Sequence, residues 1–353
     1  MARMRRGQFV STSVRVALVA IVSLSPTTTI GEAGQAASAT KEATPTNTAP
    51  RTSWGDPDLR GIWTNSTPTP FERSEDQAAA LEPRDAPSGR YDPNESSVGA
   101  YNDFWTDRGP SERGVAEREG QERPSQASLV VDPPDGKLPS LTQAAQKYAE
   151  ELEALRRSER PASWVELNPY DRCITRGLPG GMIPGFYNHN YQILQTADHV
   201  AIFIEMIHEA RIIPLDRRPH LGANIRQWTG NSRGRWEGQT LVVETTDFSD
   251  KIREFTGNAQ RLPNGEPVAT YQASLGTPTL TLVERFTRVD ENTIDYRFTV
   301  TDPATFTKPW TALAPMVKIE GPIYEYACHE GNYALPNMLR TARAQEKTEA
   351  LGK

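Results

Sequence analysis

Two periodicities divide this chain. Between residues 140 and 157, Leu141, Ala144, Ala145, Tyr148, Leu152 and Leu155 recur at helical spacing, which places an apolar stripe along one side of a helix. Ser140 stands just before the run and can cap it. The spacing predicts one amphipathic helix over 140–157, lying on an apolar surface. From residue 191 the rhythm shortens to two. Apolar and polar positions alternate, or run apolar, over 191–195, 199–207, 211–215, 240–246, 279–289 and 293–301, with a further strand in 317–326 and an early one at 61–65. Ala197-Asp198, Gly238-Gln239 and Asp290-Glu291-Asn292 supply the turns. Eight to ten strands joined by short turns, with no helix between consecutive late strands, predict a mainly β protein. Its sheet is an antiparallel meander, not a βαβ arrangement.

A meander must hide its edge strands, and closure into a barrel does so completely. The early strand opens with Gly61-Ile62-Trp63, which resembles the first strand of lipocalin-type barrels. The expectation is a single lipocalin-like barrel with one amphipathic helix and a long N-terminal excursion. A β-sandwich or a two-barrel arrangement is the alternative.

The N-terminal third has a different character. Arg3, Arg5, Arg6 and Arg15 precede or flank an apolar run at 16–24, and Ala37-Ser38-Ala39 follows. The run is shorter than the roughly 20 residues a bilayer span requires. Basic region, short apolar region and small-x-small site together read as a signal peptide over 1–39. Residues 40–52 are Thr, Ala and Pro in the main and read as a flexible linker. Residues 53–353 form the single working domain, with an irregular, charged insertion at 72–128. The expected location is periplasmic or secreted, without stable membrane insertion after cleavage.

Net charge is −6, pI is near 5.6 and mean hydropathy is −0.60. There is no basic footprint, which argues against a nucleic-acid partner. The two cysteines, Cys173 and Cys328, read first as one disulfide in an exported chain. The loop it would close is long, and the chain-entropy view credits such a bond with up to about 5 kcal/mol. Two free buried thiols are the alternative.

Three segments carry a resemblance. They are Glu205-Met206-Ile207-His208-Glu209-Ala210-Arg211-Ile212-Ile213-Pro214-Leu215-Asp216, the stretch 232–245 around Gly234-Arg235-Trp236-Glu237-Gly238, and Tyr324-Glu325-Tyr326-Ala327-Cys328-His329-Glu330-Gly331-Asn332-Tyr333. All three resemble a large set of exported bacterial β-rich proteins, and the likeness spans roughly residues 54–340. The resemblance implies export and a β-rich fold, and it carries over no catalytic residue.

Candidate chemistry lies where polar residues interrupt apolar faces. Leu280, Leu282, Phe286, Ile294, Tyr296, Phe298 and Val300 share one face of the last hairpin, and Glu284 falls on that face. Glu205 is in phase with Ala201, Phe203 and Ile207, and Arg211 keeps that phase if the strand runs unbulged. A carboxylate among apolar neighbours must be paired, hydrogen-bonded or protonated. Such a group is either half of an acid/base pair or one end of a structural Glu–Arg bridge, with Arg211, Arg285 or Arg297 opposite. If Cys173 and Cys328 are bonded, Asp171-Arg172 and His329-Glu330 come together near the dense Tyr187-Asn188-His189-Asn190-Tyr191 run. The seven tryptophans either line a pocket or plug the barrel.

No His-x-His, His-Glu-x-x-His, Cys-x-x-Cys or phosphate-loop pattern occurs. A metal site is therefore expected only if His208, His220 and His329 assemble in space. Neither an organic cofactor nor a metal is expected. The preferred expectation is an exported enzyme acting on a small, partly apolar molecule by acid/base chemistry of the lyase, isomerase or hydrolase type. His329 or His208 would be the base, Glu205 or Glu284 the acid or orienting carboxylate, and Arg211 or Arg172 the anion-stabilising group. A non-catalytic carrier for a hydrophobic ligand is the first alternative. A protein binding an envelope partner through 72–128 is the second. The oligomeric state stays open.

Overall fold

The computed structural model describes residues 49–67, 69–73, 126–158, 161–184, 188–251 and 277–351. The expected signal peptide at 1–39, most of the linker and most of the 72–128 insertion lie outside these residues.

Eleven strands form one antiparallel sheet. They are β1 (Gly61–Thr64), β2 (Val130–Asp132), β3 (Asn190–Gln195), β4 (His199–Ile204), β5 (Glu209–Pro214), β6 (Asn231–Glu237), β7 (Thr240–Thr246), β8 (Thr281–Arg288), β9 (Thr293–Thr301), β10 (Trp310–Leu313) and β11 (Met316–Ile319). The order across the sheet is β5-β4-β3-β1-β11-β9-β8-β7-β6. β1 therefore enters from the N-terminal side and bridges two meanders. The second side of β9 is shared, with Ile294 opposite Met316 of β11 and Phe298 opposite Ala312 of β10. β2 and β10, and the helix at 334–351, are elements the sequence pattern did not announce.

Alternation sets the inner face. β8 alternates half-buried and buried positions along its whole length. Leu282, Phe286, Tyr296, Phe298 and Val300 are sealed from solvent, as the hairpin pattern predicts. Phe286, Tyr296 and Phe298 stack in sequence, with ring centroids 4.7 and 5.5 Å apart. Trp310 takes edge-on contacts from Phe71, Phe298 and Phe306. Trp63 donates its indole N–H to Leu59 O at 2.9 Å, and the Arg288 guanidinium lies 4.6 Å over its ring. Arg288 also donates to the carbonyls of Asp58, Asp290 and Glu291. Trp63 and Trp310 thus plug the core.

The expected closed barrel does not form. Among the described residues the terminal strands β5 and β6 share no ladder pairing, so the sheet is open. Side chains fill the seam. A Cβ at Gly234 of β6 would stand 2.8 Å from Ile213 and 2.6 Å from Leu215, so only glycine lets the two ends approach this closely.

Arg211 of β5 spans the interior behind that seam. Its Nη1 donates to Glu284 Oε1 at 2.9 Å and its Nη2 to Glu284 Oε2. Tyr296 donates its hydroxyl to Glu284 Oε1 at 2.8 Å. Ser232 Oγ accepts from Arg211 and shares a 2.9 Å hydrogen bond with Thr245 Oγ1. Both charged side chains are buried. Burial works against the guanidinium charge, but Glu284 more than offsets it and holds the Arg211 pKa above its ordinary value. Burial and the adjacent carboxylate push the Tyr296 phenol well above its usual range. The inward Glu284 of the sequence pattern is therefore one end of the structural bridge, with Arg211 as its partner in place of Arg285 or Arg297.

Two helices flank the sheet, α1 (Gln143–Ser158) and α2 (Ala334–Leu351). Thr142, not Ser140, caps α1, accepting the Ala145 N–H at 3.2 Å. Ser140 is occupied in pairing, its carbonyl accepting from Thr307 N. Ala145 is buried with Leu141, Tyr148 and Ala149 around it. The side chains of Leu152 and Leu155 lie outside the description. α2 escaped the pattern because Ala342 is its one buried residue. It docks through Arg343, which donates to the carbonyls of Ala162 and Pro161 at 2.8 and 3.1 Å.

Removing one end of the bridge should hurt far more than removing both. Glu284→Ala strands a buried guanidinium and is expected to cost about 3–5 kcal/mol in urea denaturation. An Arg211→Met/Glu284→Leu double variant is expected within about 2 kcal/mol of wild type.

Candidate functional site

The site begins at the β4–β5 turn. β4 stops at Ile204, and Met206–His208 form a single 3-10 turn. Ile207 and His208 both take left-handed backbone angles, with φ of 64° and 45°. A β-branched residue there costs roughly 1–3 kcal/mol, so the surroundings must enforce it. Glu205 does so from below. It is fully buried and accepts from Asn188 Nδ2 at 3.1 Å and Asn190 Nδ2 at 2.8 Å. Its N–H donates to Asn190 O at 3.0 Å, and its carbonyl accepts from His208 N at 3.0 Å.

This turn corrects the expected phase. Ala201 and Phe203 are only half-buried, while Val200, Ile202 and Ile204 face the core. Glu205 is inward because the 3-10 turn folds it under, not because it follows Phe203 along a strand. The kink also resets Arg211, which lies opposite Ile202 in the ladder.

Over the outer face of β1, β3 and β4 runs an irregular segment at 320–330, where one long strand was expected through residue 326. β11 ends at Ile319, and Gly321, with φ of 68°, turns the chain away. Between this segment and the sheet lies a groove of about 680 Å³. Ile62, Gln192 and Phe203 form its floor, and residues 322–327 with His329 and Glu330 form its wall. The Cys173–Cys328 disulfide, with Cα atoms 5.7 Å apart, pins the wall. Asn332 Nδ2 donates to Asp171 O at 2.9 Å, and the Tyr326 and Tyr170 hydroxyls lie 3.4 Å apart.

His208 and His329 meet here, their ring centroids 6.1 Å apart. His208 Nδ1 lies 2.9 Å from Tyr326 O. A carbonyl only accepts, so Nδ1 carries the proton and Nε2 of the neutral ring keeps its lone pair. Both histidines are exposed.

Behind the turn lies a second polar layer. Arg176 donates to His189 Nε2 at 3.2 Å, and its guanidinium sits 5.1 Å over the Tyr170 ring. The Tyr191 hydroxyl donates to Asn65 Oδ1 at 3.2 Å. Burial, helped by the Arg176 charge, pulls the His189 pKa down to about 3, and burial pushes the Tyr191 phenol up. Glu209, beside His208 in sequence, is raised by burial, against the opposing hydrogen bond from Thr175 Oγ1 at 2.7 Å.

The sequence-predicted residues thus separate. His208 and His329 share the groove. Glu205 is sealed beneath it and positions the turn. Glu284 and Arg211 neutralise each other in the core. Arg172 does not join His329 despite the disulfide. It stacks 5.1 Å over the exposed ring of Trp164. His220 stands apart, 3.3 Å from Asn231 Oδ1 and 3.8 Å from Glu244 Oε1, so the three-histidine set does not assemble. Among the described residues no group of three His, Cys, Asp or Glu side chains could hold a metal ion. The groove's aromatic and acidic wall, Tyr324, Glu325 and Tyr326, was missed as a site, although it lies in one of the three resemblance segments. That segment and the one containing His208 face each other across the groove.

Compared with known proteins, the chain matches no protein-family profile, no curated protein and no solved structure. The resemblance to exported bacterial proteins rests on its three segments alone.

His189 makes a prediction about pH. It is neutral in the native state, while an unfolded chain protonates it below the ordinary imidazole value near 6.5. Its contribution to stability is present above that value and is lost as pH falls toward about 3. Between pH 6 and 4 it adds a slope of up to about 1.4 kcal/mol per pH unit. Denaturation midpoints of His189→Gln measured across that range should fall less steeply than those of wild type.

Proposed function

We propose that this protein is an exported enzyme, periplasmic or secreted. It acts on a small, partly apolar molecule held in the groove by side-chain acid/base chemistry of the lyase, isomerase or hydrolase type. The observation that carries this reading is the His208–His329 pair. One ring has its tautomer set by a backbone carbonyl, and the other faces it at 6.1 Å across a groove of about 680 Å³. A histidine oriented through Nδ1–H presents Nε2 as a general base. The groove has the size of a small-molecule site.

His208 is the base in this scheme, because its backbone is locked by Glu205 below and its ring by Tyr326 above. His329, starting in its protonated form, gives a second proton to the substrate as the acid, while His208 keeps the one it removed until exchange with solvent resets both rings. Glu205 is a positioning residue. The Arg211–Glu284 pair is structural. No helix among the described residues is long and apolar enough to cross a membrane. The disulfide and the signal-peptide pattern support work outside the cytoplasm.

The apolar floor of Ile62 and Phe203 also favours a carrier, which would hold the same molecule unchanged. A panel of small aryl esters, lactones and enolisable ketones separates the two. Turnover by wild type is expected, with His208→Ala losing roughly 10²–10⁴ in kcat/KM and keeping ligand binding. Retention of ligand in native mass spectrometry with no turnover of any panel member would establish the carrier instead.

A further inference from the structure

The charge of the groove narrows what it takes. Its ionisable lining side chains are Glu325, Glu330, two histidines and two tyrosines, and it has no lysine or arginine. Neither glutamate has an ion-pair or hydrogen-bond partner among the described residues. Both are exposed at the groove wall, so their charge is neither buried away nor neutralised.

Three arginines on neighbouring elements are otherwise engaged. Arg176 stacks on Tyr170 and donates to His189. Arg172 stacks on Trp164, and Arg60 is bonded to Asp58. Lys318 is exposed on β11 and lies outside the lining.

Aromatic rings complete the picture. Tyr324 and Tyr326 stand in the wall and Phe203 in the floor. The face of an aromatic ring attracts cations and accepts apolar surface equally well. Carboxylates lining one cleft add their fields inside it and raise the local concentration of cations.

We infer that the groove selects a cationic ligand with an apolar body, of the class of an organic amine or quaternary ammonium, and disfavours carboxylates and phosphates. This deepens the proposed function and rests on the groove being the ligand site. Glu325 and Glu330 set the charge preference, the aromatic rings hold the apolar body, and His208 and His329 are left free for the proton.

The test uses three probes with one ring in common: benzyltrimethylammonium, benzyl alcohol and benzoate. They are titrated at pH 8 and low ionic strength while the imidazole resonances of His208 and His329 are followed by NMR. The expected order is ammonium, then alcohol, then benzoate, with the ammonium at least about 10-fold tighter than benzoate. Glu325→Gln/Glu330→Gln should bring the ammonium to within about 2-fold of the alcohol and leave alcohol binding unchanged. Benzoate binding as tightly as the ammonium, or a preference that survives the double substitution, overturns the inference and leaves the groove reading intact. If none of the probes moves either histidine, the groove is not the ligand site, and both readings fall.

Discussion

A buried arginine and a buried glutamate hold this fold in shape. Arg211 sits on the last strand at one end of an open sheet, and Glu284 sits on the third strand from the other end. No ladder joins those ends among the described residues. The bidentate pair reaches through the interior where backbone pairing does not. Two charges taken out of water are stable only when every lone pair and proton finds a partner. Tyr296 serves the carboxylate, and Ser232, braced by Thr245, serves Nη2 of the guanidinium, while Arg211 Nε is buried without a hydrogen-bond partner among the described residues. The close approach at Gly234 and the aromatic stack beside Tyr296 surround this contact.

The same polar interior sets up the surface. Glu205 uses its buried carboxylate to hold a strained turn, and the turn lifts His208 into the groove. The inward carboxylates therefore do different jobs. One links strands from the two ends of the open sheet, the other aims a histidine, and neither meets solvent. The proposed site lies outside the sheet, between its outer face and an irregular strap, and not inside a barrel.

How far the sequence revealed this depends on periodicity. Glu284 could be read as inward because the β8–β9 hairpin alternates cleanly for eight or nine residues on each strand. Its partner could only be narrowed to three arginines, since strand order is invisible to alternation. Glu205 was found for the wrong reason: a strand projected through 199–207 gives it the phase of Phe203, but the strand ends at Ile204 and Glu205 itself takes helical angles. The barrel expectation failed at the seam, where packing of side chains replaces hydrogen bonding of backbones. The groove itself was illegible because residues 320–330 have no repeat. Only the density of aromatic, acidic and histidine residues there marks them, and in the sequence only the cysteine pair hints at what they pack against. α2 was missed because a helix with one buried residue carries no apolar stripe.

The disulfide gives the groove a dependence on its surroundings as well as a shape. Its wall is tied to the body through Cys328 and to α2 through Asn332, which also bonds the loop before Cys173. Hydrogen bonds from His208, Tyr170 and Asn332 hold the same wall without a covalent bond. A reducing environment would therefore remove one brace of the groove and leave every ladder of the sheet untouched. The groove is the part of this molecule whose shape answers to the redox state of its surroundings, and the sheet is the part that does not.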